Sequence, residues 1–194
     1  MTGVEEIKIA NELQPEFVGF VFAEKSRRKI SPTLAAELKK ILNPKIFAVG
    51  VFVNEKIETV AEISRRGIID VIQLHGAEDE NYISKLRTLT DKKIIRAFQI
   101  KSGDDFKLAE KFPSDFVLLD GGAGEGKSFD RTLLKNFRRK FFLAGGLNPE
   151  NVAGEIAKFK PFAVDVSSGI ETNGLKDEKK MCDFVNAVRG ENFL

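Results

Sequence analysis

Residues 141–169 read FFLAGGLNPENVAGEIAKFKPFAVDVSSG, two apolar runs that each stop on small residues. Phe141 to Ala144 ends at Gly145-Gly146, and Phe162 to Val166 ends at Ser167-Ser168-Gly169. Between them Asn148 and Pro149 open a helix, the asparagine as N-cap and the proline at the first helical position, where its missing N–H costs nothing. The stretch is one strand–helix–strand unit. Glycine and serine just past a strand end let backbone amides approach a ligand closely, and a helix N-terminus behind them adds positive dipole. Both features favour a phosphate, and two ordinary turns of an α/β protein would read the same way in isolation.

The alternation extends to the start of the chain. Thr2-Gly3-Val4-Glu5 has the form of a capping box, with Val4, Ile7 and Ala10 at helical spacing behind it. Strands are expected at 17–22, 46–53, 71–74, 94–100 and 116–119, the last ending on Asp120 before the glycine-rich loop 121–127. Helices are expected from Ser31-Pro32, with Leu34, Leu38 and Ile41 apolar, then at 55–66, 78–89, 105–111 and 129–137. A last amphipathic helix covers 177–189, with Met181, Phe184, Val185 and Val188 on its apolar face. Seven strands thus alternate with eight helices, and most strands are apolar at consecutive positions, as when both faces are covered.

The predicted fold is an α/β, eight-fold β/α (TIM) barrel with its first strand missing from the chain as printed. A doubly wound open sheet competes, since it tolerates an odd count, but no glycine-rich dinucleotide turn follows an early strand. No repeat, low-complexity tract or linker divides residues 1–194, so one domain is expected. The chain has 194 residues, 42% hydrophobic and 31% charged, enough for one core and slightly short of a barrel of about 250.

The 31 basic and 29 acidic residues are spread along the chain, and a net charge of +2 makes no patch that argues for nucleic acid or membrane. A small-molecule partner is expected. One cysteine, Cys182, excludes an internal disulfide framework and a multi-cysteine zinc site. No apolar run is long enough for a membrane span and no leader opens the chain, so the expected location is the cytoplasm.

Six blocks carry a resemblance: GFVFAEKSRRKISP at 19–32, VGVFVN at 49–54, QLHG at 73–76, LLDGGAGEGKSFD at 118–130, LAGGLNPENV at 143–152 and PFAVDVSSGIE at 161–171. In this order they resemble the phosphoribosylanthranilate isomerases of tryptophan biosynthesis. The resemblance implies an Amadori rearrangement of N-(5-phosphoribosyl)anthranilate to 1-(2-carboxyphenylamino)-1-deoxyribulose 5-phosphate, by a monomer or homodimer, with no metal and no organic cofactor.

It also implies roles, residue by residue. Asp120 matches the general acid that protonates the ribose ring oxygen, a task that needs a raised pKa at neutral pH; by itself it reads as a turn or N-cap aspartate. Arg28 matches the arginine that holds the anthranilate carboxylate, for which a planar bidentate donor suits best, while the rest of Lys25-Ser26-Arg27-Arg28-Lys29 reads as a solvated loop. Gly145, Gly146, Ser167, Ser168 and Gly169 would bind the ribose phosphate. Gln73 and His75 would bind substrate in supporting roles, although a lone histidine at a strand end also reads as a general base. Asp165 either faces the substrate or makes a structural pair, and Cys182 reads as a small core residue.

Family members begin with a strand ending in Lys-Ile-Cys-Gly, whose cysteine is the general base. The printed chain opens beyond that motif, and a start placed too late in a longer reading frame is the expected explanation. The alternative is a phosphoribosyl-ligand-binding remnant lacking its base. A different phosphosugar barrel is disfavoured by the 118–130 block, and a metal-dependent epimerase also by the single histidine.

Overall fold

The computed structural model describes residues 1–121 and 137–190. They fall into two compact units, residues 1–97 with 113–115, and residues 98–112 with 116–121 and 137–190.

In the first unit, strands β1 (Phe17–Val21), β2 (Phe47–Phe52), β3 (Val71–Leu74) and β4 (Lys93–Gln99, its last two residues in the second unit) pair in chain order. All pairings are parallel, with Phe17 opposite Phe47, Val49 opposite Val71 and Val71 opposite Lys93. Helices α1 (Val4–Leu13), α2 (Pro32–Ile41), α3 (Ile57–Arg65) and α4 (Glu80–Arg87) lie between and before them in sequence. Parallel strands need such crossovers, and all four residues of β3 are buried, as a strand covered on both faces requires. Phe20, Phe52, Ile72, Leu74 and Ile94 have no exposed surface, and burial of each such side chain contributes about 1.5–3 kcal/mol.

In the second unit, β5 (Phe116–Asp120), β6 (Phe141–Ala144) and β7 (Ala163–Val164) are again parallel and in chain order, with α5 (Gly103–Lys111), α6 (Val152–Phe159) and α7 (Glu178–Arg189). A single 3-10 turn, Ser168–Ile170, follows β7 and leads into an antiparallel hairpin, β8 (Glu171–Thr172) and β9 (Leu175–Lys176). Sequential parallel order is that of a β/α barrel, whereas a doubly wound sheet would reverse direction part-way.

The helix starts are written locally. Ser31 accepts the Leu34 amide at 3.1 Å ahead of Pro32, Asp79 accepts the Tyr82 amide at 2.8 Å, and Ser102 and Asp105 make a reciprocal capping box. Each such cap contributes about 1 kcal/mol.

Several expected boundaries move. Thr2 meets Glu6 rather than Glu5, through backbone and hydroxyl, while Glu5 pairs with Lys8, and Val4 is exposed at the rim of α1. Ile41 is also exposed, and Ala35 takes its place in the core of α2. Asn148 caps a turn, not the helix: its side chain and that of Asn151 accept each other's amides at 2.9 Å, and α6 starts three residues later than a Pro149 start would give. β7 is shorter than 162–166, although its ladder bonds run on, from Phe162 N–H to Phe141 O and from Asp165 N–H to Leu143 O. The β8–β9 hairpin was not expected; Asn173 and Gly174, with φ of 53° and 83°, form the paired left-handed turn that favours Asn-Gly. Most of the 121–127 loop and of the helix expected at 129–137 lies outside the described residues.

Candidate active site

In the first unit the candidate residues stand at the carboxyl ends of β1 and β3, Arg28 and His75 on the loops that follow them and Gln73 on β3 itself. Of the four charges at 25–29, Arg28 alone is half-buried; Lys25, Arg27 and Lys29 are exposed, and Lys29 pairs with Glu24. The loop is turned by Ser26, whose hydroxyl accepts the Arg28 amide at 3.1 Å and whose carbonyl accepts the Lys29 amide at 3.1 Å. Gln73 is buried on β3, with Nε2 3.3 Å from Nδ1 of His75. The His75 backbone is fixed by its N–H to Phe52 O at 2.8 Å.

Beneath His75 lies a network that the sequence reading missed. Glu78, placed there on a helix, is instead a buried loop carboxylate accepting the amides of Asn54 at 2.7 Å and Gly76 at 2.8 Å. Asn54, at φ 51°, accepts the Ala77 amide at 2.6 Å, and a Cβ on Gly76 would sit 2.4 Å from its Oδ1. Arg96, buried on β4, donates to the carbonyls of Leu74, Gly76 and Glu78 at 3.2, 2.8 and 3.0 Å, and also to Ala97. Burial pulls its guanidinium below the usual arginine range, and the Glu78 carboxylate offsets part of that. The signal was present: a charged residue in the apolar run Ile94-Ile95-Arg96-Ala97-Phe98 must be buried and must therefore be hydrogen-bonded. Tyr82 on α4 donates to Glu55 O at 2.9 Å, and burial, with the carboxylates of Glu78, Glu55 and Glu58, raises its phenol above the ordinary value.

In the second unit, β5, β6 and β7 deliver their candidates on consecutive strands. Asp120 is the last residue of β5, half-buried and in register with Ala144, and the next amide, Gly121 N–H, bonds Ala144 O at 3.2 Å. Gly145 and Gly146 follow β6 at φ 91° and 67°, conformations open to glycine, and Asn151 Nδ2 donates to Gly146 O at 2.9 Å. Asp165, half-buried, donates its amide to Leu143 O at 2.8 Å. Ser167 and Ser168 are exposed, and Gly169 packs so tightly on the preceding turn that a Cβ there would lie 1.9 Å from Leu147 O. The two glycine-serine turns are therefore in contact. Such an arrangement can offer amides and hydroxyls to an anion and a carboxyl group for proton exchange. Cys182 is partly buried on α7, its sulfur accepting from Asn186 Nδ2 at 3.3 Å.

Parallel strands in chain order, with polar groups gathered at their carboxyl ends, are the arrangement of β/α-barrel enzymes. The model of the N-(5'-phosphoribosyl)anthranilate isomerase family matches residues 1–187, and the chain belongs to that family. It is 45% identical to the isomerase of Acetivibrio thermocellus, over 95% of this chain and 91% of that one. A crystal structure of phosphoribosyl anthranilate isomerase in complex with reduced 1-(o-carboxyphenylamino)-1-deoxyribulose 5-phosphate superposes with a TM-score of 0.87 at 35% identity, covering 98% of this chain and 95% of that one. Monomers generated from the dimeric Thermotoga maritima enzyme give 0.86 at 34% identity, with coverage of 98% and 95%. The fold is thus the β/α barrel of this isomerase family. No helix among the described residues is long and apolar enough to cross a membrane.

Proposed function

We propose that this chain isomerises N-(5-phosphoribosyl)anthranilate to 1-(2-carboxyphenylamino)-1-deoxyribulose 5-phosphate, an internal aldose-to-ketose rearrangement in tryptophan synthesis. The observation that carries the reading is the sequence of strand ends in the second unit. Asp120, the Gly145-Gly146 turn and Asp165 close three consecutive hydrogen-bonded strands, and the Ser167–Gly169 turn packs on the chain after β6. In this reading Asp120 protonates the ribose ring oxygen, so that the ring opens and the C1–N bond becomes a Schiff base. Loss of the C2 proton then gives the enolamine, which tautomerises to the ketone. Gly145, Gly146, Ser167, Ser168 and Gly169 hold the phosphate through amides and hydroxyls. Asp165 faces the substrate amine.

Arg28 holds the anthranilate carboxylate, a role suited to the one charge of its loop that is drawn in from solvent. Gln73 fixes the ring of His75, and both support the substrate rather than take its proton. The enzyme works in the cytoplasm as a monomer or homodimer on a small-molecule substrate, without nucleic acid.

The test is turnover of phosphoribosylanthranilate, followed as loss of its fluorescence, by the printed chain and by one carrying a Lys-Ile-Cys-Gly strand ahead of Met1. Turnover by the extended chain alone assigns the C2 base to that strand's cysteine. Equal turnover by both places the base elsewhere and makes His75 the first residue to replace. Turnover by neither overturns the reading.

A further inference from the structure

The β8–β9 hairpin has no part in the chemistry above, yet it carries a buried ion pair: the Lys176 and Glu171 side chains retain 9% and 4% of their exposure, with Nζ 3.1 Å from Oε1. Desolvating both charges is costly, and a pair in that position is worth keeping for what else it holds. Lys176 Nζ also donates to the Ser167 carbonyl at 2.7 Å, and Lys180 Nζ donates to the Glu171 carbonyl at 2.8 Å. The Glu171 amide donates to the Ser168 carbonyl. Both carbonyls of the serine pair are therefore drawn towards hairpin residues. In a planar trans peptide the C=O and the following N–H point in opposite directions. The amides of Ser168 and Gly169 consequently face away from the hairpin, while Gly169 packs so closely on the turn after β6 that a Cβ there would lie 1.9 Å from Leu147 O.

We propose that Lys176, anchored by Glu171, is a positioning residue for phosphate binding: it fixes the Ser167 carbonyl so that the Ser168 and Gly169 amides are presented to the ligand's phosphate. This deepens the reading of Ser167–Gly169 as a phosphate loop. Lys176 acts through the peptide unit, so its effect falls on phosphorylated ligands and not on the anthranilate ring.

The experiment compares the full chain with Lys176→Met, Lys176→Arg and Glu171→Gln, titrating ribose 5-phosphate and, separately, anthranilate. In Lys176→Met the Kd for ribose 5-phosphate rises about ten-fold, the loss expected when a charged hydrogen bond to the loop is removed, while that for anthranilate is unchanged. The Ser168 and Gly169 amide resonances move, and where turnover is measurable KM rises with the phosphate Kd while kcat falls by a smaller factor. Lys176→Arg restores most of the affinity. Glu171→Gln, which keeps the shape of the pair, weakens ribose 5-phosphate by about three-fold and serves if Lys176→Met does not fold. Unchanged ribose 5-phosphate affinity in both Lys176→Met and Glu171→Gln, equal weakening of both ligands, or a parent chain that does not bind ribose 5-phosphate overturns the proposal. A parent chain that binds ribose 5-phosphate, while neither it nor the chain extended by the Lys-Ile-Cys-Gly strand isomerises anything, overturns only the isomerase reading.

Discussion

The strand ends of the two units are braced in different ways. In the first unit the loops after β2 and β3 are held by side chains, with buried Glu78 and exposed Asn54 accepting backbone amides and buried Arg96 donating to backbone carbonyls. In the second unit the turns after β6 and β7 rest on main-chain conformation, through positive φ at Gly145 and Gly146 and the tight packing of Gly169 on Leu147 O, with side chains from beyond the turns, Asn151 and Lys176, donating to the Gly146 and Ser167 carbonyls. In the proposed reading, where side chains such as His75 are to meet a ligand, the loop backbone next to them is fastened by other side chains. Where the backbone itself is to meet the ligand, side chains are reduced to hydrogen or a hydroxyl, and the fastening comes from the neighbouring hairpin. One region should therefore fail by losing stability and the other by losing affinity or rate.

The sharpest test of that contrast is Asp120→Asn. Turnover should fall by about a hundred- to ten-thousand-fold, the usual contribution of an acid–base group, with a melting temperature close to the parent's. A large drop in melting temperature would make Asp120 structural and blur the comparison. Arg96→Met should show the reverse, because it strips the carbonyls of Leu74, Gly76 and Glu78 of their buried donor and removes the positive charge near the Glu78 carboxylate. Urea denaturation should register a loss of about 3 kcal/mol. Gly169→Ala places a methyl group on Leu147 O, so the turn must shift; calorimetric titration should find ribose 5-phosphate binding weakened by about ten-fold or more.

The smallest expected effect concerns Asp115, which fastens the start of β4. Burial pushes its carboxyl up, but the Ile94 amide and the Arg87 and Lys93 side chains outweigh burial, and it titrates below the usual carboxylate range. A depressed folded-state pKa stabilises the protein above the unfolded value near 4, and that contribution is lost as the pH falls through the folded value. Asp115→Asn should thus be less stable than the parent by about 1 kcal/mol at pH 7. Denaturant midpoints at successively lower pH should converge below about pH 4, and a gap that persists in acid would contradict the assignment.

Strands β1 to β6 were legible to within about two residues, because each is an apolar run closed by glycine, proline or a polar cluster. The candidates at strand ends were legible for the same reason, since a pattern that ends a strand also says what stands there. Glu78 was not, because alternation assigned it to the following helix, and it is held inside by the distant Asn54 amide together with the amide of Gly76 just before it. Arg96 announced burial without announcing which carbonyls it would serve. The hairpin was readable from Asn173-Gly174, but two-residue strands have too little period to register. The ion pair behind Ser167 depends on that hairpin's register and was invisible with it.

The hydrogen bond from Tyr82 to Glu55 has an optical consequence. The chain contains one tyrosine and no tryptophan. Light of the wavelength that excites tryptophan finds no indole in this protein, so anthranilate emission can be read without a protein background. Light absorbed by tyrosine reports from a single address, the join between α4 and the loop after β2. One chromophore thus times the opening of the first unit while the substrate's own glow times the chemistry, and neither signal needs a label.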